Sequence, residues 1–271
     1  MTTLLLLAAL LQDKVTLELK SAAGEKSVHT RRESTTGKIL FTVAGQTVSE
    51  STLETETRRY RDEVLEVDGA APVRVRRTIE EWNEIKEKGN EAVRAVKKLA
   101  GQTITLKRTA DGGTAVEGAD DAPAAELRAQ RLRPDLLFGA LPAEPVAVGQ
   151  EWGIEEKALL KDFQETGGDD AARFTTARGT AKLEKVEDHK GARCAVILMS
   201  VKAAGTIKGQ DALKSSFDIR TRLWMDVAKG RVLTMRGDGE GKIEGILDQD
   251  GEKIKVDGTF TISIEAGQAY E

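Results

Sequence analysis

The sequence predicts a mainly β protein: long antiparallel strands in one or two curved, half-barrel-like sheets, with one or two short helices. Three observations predict it. Apolar residues recur with a period of two in many separate segments, Gly-containing turn signals sit between those segments, and helical spacing is confined to two short stretches.

Taken in chain order, residues 4–11 are eight apolar residues, about the length of a signal-peptide core and too short to span a bilayer. No Lys or Arg precedes them, and no small-x-small cleavage site follows before Asp13; a buried first strand or helix is the rival reading. A signal segment places the mature start between Ala9 and Asp13 and the protein in the periplasm or outside the cell. From Lys14 to Lys20, Val15, Leu17 and Leu19 face one way and the polar residues the other, which is the pattern of a half-buried strand. Glu54 and Glu56 precede Arg58, Arg59 and Arg61, and Arg74, Arg76 and Arg77 lie on the next extended segment. Such alternating charges predict cross-strand pairs on a solvated face.

Ala92, Val93, Val96, Leu99 and Ala100 recur at helical spacing after Asn90-Glu91, and residues 124–132 follow Asp121 and Pro123, a plausible cap with Pro in the first turn. The Pro-rich connection Leu141-Pro142-Ala143-Glu144-Pro145 then divides the chain. This predicts a possible signal segment over 1–12, a first antiparallel half over 13–120, a helix and connection over 121–150, and a second half over 151–271.

In the second half, Phe217, Ile219, Leu223, Met225 and Val227 alternate with polar residues and Trp224, giving a long strand with one wet face. Ile254, Val256, Phe260, Ile262 and Ile264 share a face, with Gly258 marking a bulge or a close approach. Turns are expected at residues 110–113, 188–191, 228–230, 238–241 and 248–251, where Gly supplies positive φ. The stretches 101–118 and 230–245 echo one another as strand, Asp/Gly turn, strand.

Chemistry is sparse. With 41 Lys+Arg against 45 Asp+Glu and 4% aromatics, neither nucleic acid nor an anionic membrane is a natural partner. Cys194 sits in the apolar run 194–199 and reads as a buried hydrophobe; with only His29 and His189 in the chain, no zinc, haem or Cys–His site is predicted. No G-x-S-x-G or phosphate-binding loop occurs, and 248–251 lacks the ligands that would complete a calcium loop. No catalytic residue, metal or cofactor is assigned, and the chain is not read as an enzyme.

The most distinctive stretch is residues 141–152, where Pro142 and Pro145 hold the backbone extended, Gly149 permits a turn and Trp152 begins a strand. Trp152 is expected to cover the short helix at 124–132 or else to line a pocket. A P-V-x-V-G-x-x-W segment (Pro145 to Trp152), followed by Leu223-Trp224-Met225-Asp226 and Gly230-Arg231-Val232-Leu233, resembles a group of uncharacterised exported bacterial proteins. The resemblance covers mainly residues 135–271. These proteins are similar to half-barrel, lipoprotein-carrier-like proteins of the bacterial envelope, in which a curved sheet shelters a lipid-sized apolar cavity. It implies a soluble carrier of a lipid or other apolar ligand, not an integral membrane protein, with Trp152, Trp224 and Phe217 as candidate ligand contacts. The alternative is an envelope interaction module with a filled core and a protein partner.

Overall fold

The computed structural model describes residues 14–89, 91–132, 140–166, 172–207, 209–249 and 251–271; the apolar start at 4–11 lies outside them. Twelve strands form one open, curved antiparallel sheet. They are β1 (Lys26–Val43), β2 (Gln46–Asp68), β3 (Ala71–Lys88), β4 (Glu91–Val96), β5 (Thr103–Arg108), β6 (Thr114–Glu117), β7 (Glu151–Ile154), β8 (Ala172–His189), β9 (Ala192–Ile207), β10 (Gln210–Asp226), β11 (Arg231–Gln249) and β12 (Glu252–Tyr270). Helix α1 (Ala124–Arg128) follows β6, and α2 (Glu156–Thr166) lies between β7 and β8.

The spatial order is β6-β5-β3-β2-β1-β12-β11-β10-β9-β8-β7, with β4 paired to the far end of β3. Tight turns join consecutive long strands, and Gly45, Gly191, Gly230 and Gly251 supply positive φ at four of them. One pairing is not local: β1 and β12 lie side by side with Ser27 opposite Tyr270, so the two ends of the described sheet sequence meet in its middle.

Two hydrophobic cores form on the same face, called here the inner face. The larger packs Leu183, Ile197, Met199, Val201, Leu223 and Met225 of β8–β10 under α2 and the segment carrying Val15 and Leu17. The smaller packs Val64, Val75, Ile79, Trp82, Ile104 and Leu106 of β2, β3 and β5 with Leu99, and Leu127 of α1 packs against it. Cys194 is buried, as its apolar context predicts.

Four local expectations change. The segment expected to be helical from Ala92 is the strand β4: Asn83 to Lys88 of β3 extend beyond the reach of β5, and pairing with that open edge overrides the helical spacing. Helix α2 was not anticipated. The alternation at 14–20 does place Val15 and Leu17 inside, but only Val15 makes a bridge, to Val146, so the segment is not a ladder strand. Residues 238–241 do not turn: β11 runs straight through them, and the echo with 101–118, where a turn does separate β5 from β6, is not a shared hairpin.

Trp152 also sits elsewhere than expected. Its indole packs on the larger core and donates a hydrogen bond to the Ala140 carbonyl at 2.6 Å, whereas α1 belongs to the smaller core. Helix α1 is instead fastened by Glu126, whose carboxylate accepts from the Lys98 and Leu99 amides at 3.1 and 2.9 Å. Replacing Trp152 by Phe keeps most of the apolar contact but strands that carbonyl, and should cost about 1 to 3 kcal/mol in a urea titration.

Candidate functional site

Cross-strand register turns the alternation of β10, β11, β12 and β1 into a set of inner-face rows. They read Leu213-Gly245-Val256-Phe41, Ser215-Ile243-Gly258-Ile39, Phe217-Gly241-Phe260-Gly37, Ile219-Gly239-Ile262-Thr35 and Thr221-Gly237-Ile264-Glu33. Bulky residues and glycines alternate across the strands. The glycines are filled by their neighbours: a Cβ on Gly241 would lie 2.1 Å from the Phe260 ring, and one on Gly258 would meet Ile39 at 3.2 Å. Phe260 therefore lies down over Gly241 rather than standing off the sheet, which lowers the floor of the face and protects the glycine backbone.

The result is a shallow apolar trough that runs with the strands. From the Leu213 row to the Thr221 row it is about 27 Å long at ~3.4 Å per residue. Ile243, Phe260, Ile262 and Ile264 belong to neither core. At one side Phe217 meets Phe163 of α2 and Phe174 of β8 in a cluster with ring centroids 5.0 to 5.3 Å apart. Replacing Gly241 by Val should evict the Phe260 ring and destabilise by about 1 to 3 kcal/mol, read as a lowered urea midpoint.

On β1–β3 the same face becomes charged. Arg31 pairs with Glu33 at 2.6 Å, Arg58 with Glu56, Lys86 with both Glu54 and Glu84 at 3.4 Å, and Lys97 with Glu84 at 2.9 Å. Burial pushes the Glu54 carboxyl up; at Glu84 burial also pushes up, but the hydrogen bonds from Lys97 and Glu54 and the nearby lysine charges together hold the carboxyl down. The trough thus has an apolar floor and an ionic flank.

Between the two cores lies a buried polar seam. Asp62 accepts two hydrogen bonds from Arg77, both at 2.7 Å, and Arg77 also donates to Gln130 at 3.2 Å and covers the Tyr60 ring at 4.0 Å. Burial works against the Arg77 charge, yet Asp62 outweighs it and holds the guanidinium more firmly protonated than usual. His29 stacks on Tyr60 at 4.6 Å, with its Nε2 2.8 Å from the Ser27 hydroxyl, 3.1 Å from the Gln268 amide and 3.7 Å from Asp62. Burial lowers the His29 pKa to about 4, with Asp62 opposing it, so the ring is neutral at pH 7. A cavity of about 90 Å³ adjoins the seam, lined in part by Glu25, Arg231 and Tyr270. It is too small for a lipid chain.

The three residues singled out in the sequence do not converge. Phe217 lies on the trough floor. Trp224, an odd number of residues along β10, is on the outer face, where it donates to Glu187 at 2.9 Å and stacks on His189 at 5.3 Å. Trp152 lies on β7 at the sheet edge, across β8–β10 from the trough. The charge pairs expected on a solvated face do form between Glu80 and both Arg59 and Arg61, and between Arg76 and Glu63, but Arg77 is drawn inside. Gly37, Gly237, Gly239, Gly241 and Gly258 had no visible role in the linear sequence beyond turns and a bulge. Among the described residues no group of three or more His, Cys, Asp or Glu side chains is placed to hold a metal ion, and no helix is long and apolar enough to cross a membrane.

No family model matches the chain, and no curated protein matches it. Solved structures similar to it include one of lipovitellin describing lipid–protein interactions, at 10% identity and a TM-score of 0.44 over 92% of this chain and 26% of that one. The chain therefore spans about a quarter of that protein's length. A DUF1329 family protein from Desulfovibrio piger ATCC 29098 (11% identity, TM-score 0.14) and an outer membrane lipoprotein-sorting protein domain from Vibrio parahaemolyticus (9%, 0.14) each match over 89% of this chain and 85% of theirs. At TM-scores of this size, a functional reading has to rest on the geometry of the chain itself.

Proposed function

We propose that the chain is a non-catalytic, exported binding protein of the bacterial envelope that holds an elongated apolar or amphipathic ligand along the inner face of its sheet. The carrying observation is the glycine-floored trough, whose apolar residues extend beyond both cores beside an ionic strip. Apolar side chains left half-exposed in one continuous row bind what can cover them, at about 25 cal/mol per Å² removed from water. The Arg31–Glu33 and Arg58–Glu56 pairs offer both signs of charge to a polar head group at the margin. The resemblance carried by residues 145–152 and 223–233 supports export. A second reading, an interaction module, is favoured by β4, whose Val93 and Val96 are 64% and 72% exposed on a strand paired on one side only.

Titration with 1-anilinonaphthalene-8-sulfonate, competed with palmitoyl-lysophosphatidylcholine, tests the first reading. Saturable binding near one site per chain is expected, and Ile262→Lys should weaken it by about tenfold or more by placing a charge on the trough floor. Binding unchanged in that variant, while its circular-dichroism melting matches the parent, would remove the trough as the site.

A further inference from the structure

Part of the wall of the cavity beside the polar seam is aliphatic, made by Leu19, Val64, Val75 and Leu132. The charged groups that line it are all paired: Arg231 with Glu25 at 2.5 Å, Asp62 with Arg77, and Lys20 with Glu18 at 3.7 Å. Two neutral groups on the wall still have bonding capacity. Among the described residues the Tyr270 hydroxyl makes no hydrogen bond, while its ring is covered by Arg231 at 4.3 Å, and Gln268 uses only its amide nitrogen, on His29. Burial pushes the Tyr270 pKa up and Glu25 adds to the effect, so this hydroxyl keeps its proton.

We infer that this cavity binds an uncharged, hydroxyl-bearing group of about the size of glycerol. Volume and charge both select it. A space of about 90 Å³ is the share of roughly three waters, which admits a few heavy atoms but not a sugar ring or a phosphocholine. An ion either enters without a counter-charge or breaks a pair already made, and both leave a buried charge alone. A polyol does neither. One hydroxyl donates to the Gln268 carbonyl, another bonds the Tyr270 hydroxyl, and the carbon skeleton covers the aliphatic wall.

Two sources present that chemistry. One is free glycerol. The other is the head of a monoacylglycerol whose chain lies in the trough, because Gln268 and Tyr270 continue the inner-face row of β12 beyond Ile264 and Ala266. A larger or charged head stays at the ionic margin beside Arg31 and Glu33 and gains only what the trough supplies. The lipid source rests on the trough reading above; the cavity does not.

Calorimetric titration of the full chain with 1-decanoylglycerol, decanoate and decyltrimethylammonium, which share a chain length and differ in head charge, tests the selection. Saturation-transfer NMR with glycerol alone tests the cavity without a chain. The glyceride should bind about tenfold more tightly than either ion. Tyr270→Phe should lower its affinity about fivefold and leave decanoate unchanged. Ser21→Leu, which takes up cavity volume from a different wall, should do the same. A glycerol signal that Tyr270→Phe removes, with no binding of the three chain-bearing probes, keeps the cavity and removes the trough. Glyceride selectivity without a glycerol signal keeps the cavity with the lipid as its source. No glycerol signal together with equal affinities for the three heads overturns the assignment and leaves the cavity to water. So does a preference for either ion, and so does a glyceride preference that survives in both variants with their melting unchanged, since the head then sits elsewhere.

Discussion

Replacing Asp62 by Ala should lower stability by about 3 to 5 kcal/mol, the cost of leaving one member of a buried ion pair without its partner. Asp62 and Arg77 are 8% and 5% exposed, and the fork of two 2.7 Å bonds satisfies both carboxylate oxygens. Arg77 cannot shed its proton when the carboxylate goes, and Gln130 and the Tyr60 face are neutral substitutes. The penalty therefore falls on the side chain that remains. An Asp62→Leu, Arg77→Met double variant should recover most of the loss, because a filled apolar seam between two apolar cores carries no stranded charge. Urea titrations of the three proteins decide the matter; a loss under about 1 kcal/mol in the single variant would show that the seam is open to water.

The same seam makes stability depend on pH. Burial lowers His29 from the ordinary histidine value of 6.5 to about 4 in the folded chain, so between those values the unfolded chain takes up a proton that the folded chain refuses. Stability from this group is complete above pH 6.5 and drains away as the pH falls through 4. The 2.5-unit gap corresponds to about 3 kcal/mol at 1.36 kcal/mol per unit. Burial sets the direction, Arg77 works with it by opposing the proton, and Asp62 alone favours the proton. Glu80, held below the usual carboxylate range by hydrogen bonds from Arg59 and Arg61, and Glu187, held down by bonds from Lys185 and Trp224, add a separate loss only below about pH 4.5, where the unfolded carboxylates protonate. Urea midpoints measured from pH 7.5 to 4 should therefore decline, and His29→Gln should flatten the stretch between 6.5 and 4.5. An equal decline in that variant would assign the loss to other groups.

How much of this was written in the linear sequence differs from strand to strand. β10 and β12 were legible because their apolar residues keep one parity, broken only by Thr221 and by Gly258. β11 was not: its inward positions 237, 239, 241 and 245 are glycine, and with Asp238 and Glu240 between them they imitate a turn. What makes that strand a strand is Phe217 on one side and Phe260 on the other, and no reading along one segment shows which side chain a neighbour will lay over a glycine. β4 was not legible because Val93 and Val96, three residues apart, follow the helical period, and only pairing with the long partner β3 overrides it. Trp152 was placed at a fixed corner correctly but matched to the wrong core, because the partner of an anchor depends on which face α1 buries. The seam was the least legible part. Arg77 is one of several arginines on neighbouring segments, and only the shared register of Ser27, Asp62 and Arg77 takes it, and not Arg76, out of water.

The placement of β12 beside β1 carries a consequence for how the chain reaches its native state. Ser27 and Tyr270 are paired, so the innermost seam of the sheet joins the most distant parts of the described chain. Meanders β1–β2–β3 and β8–β9–β10–β11–β12 can form early from near neighbours, since a tight turn at Gly251 joins β11 to β12, but each then ends in a bare strand, β1 on one piece and β12 on the other. The slowest step should be the docking of these two edges on each other, a loop closure of very high contact order. Until then two long unpaired edges are exposed at once, which makes the nascent chain a natural client for a holding chaperone.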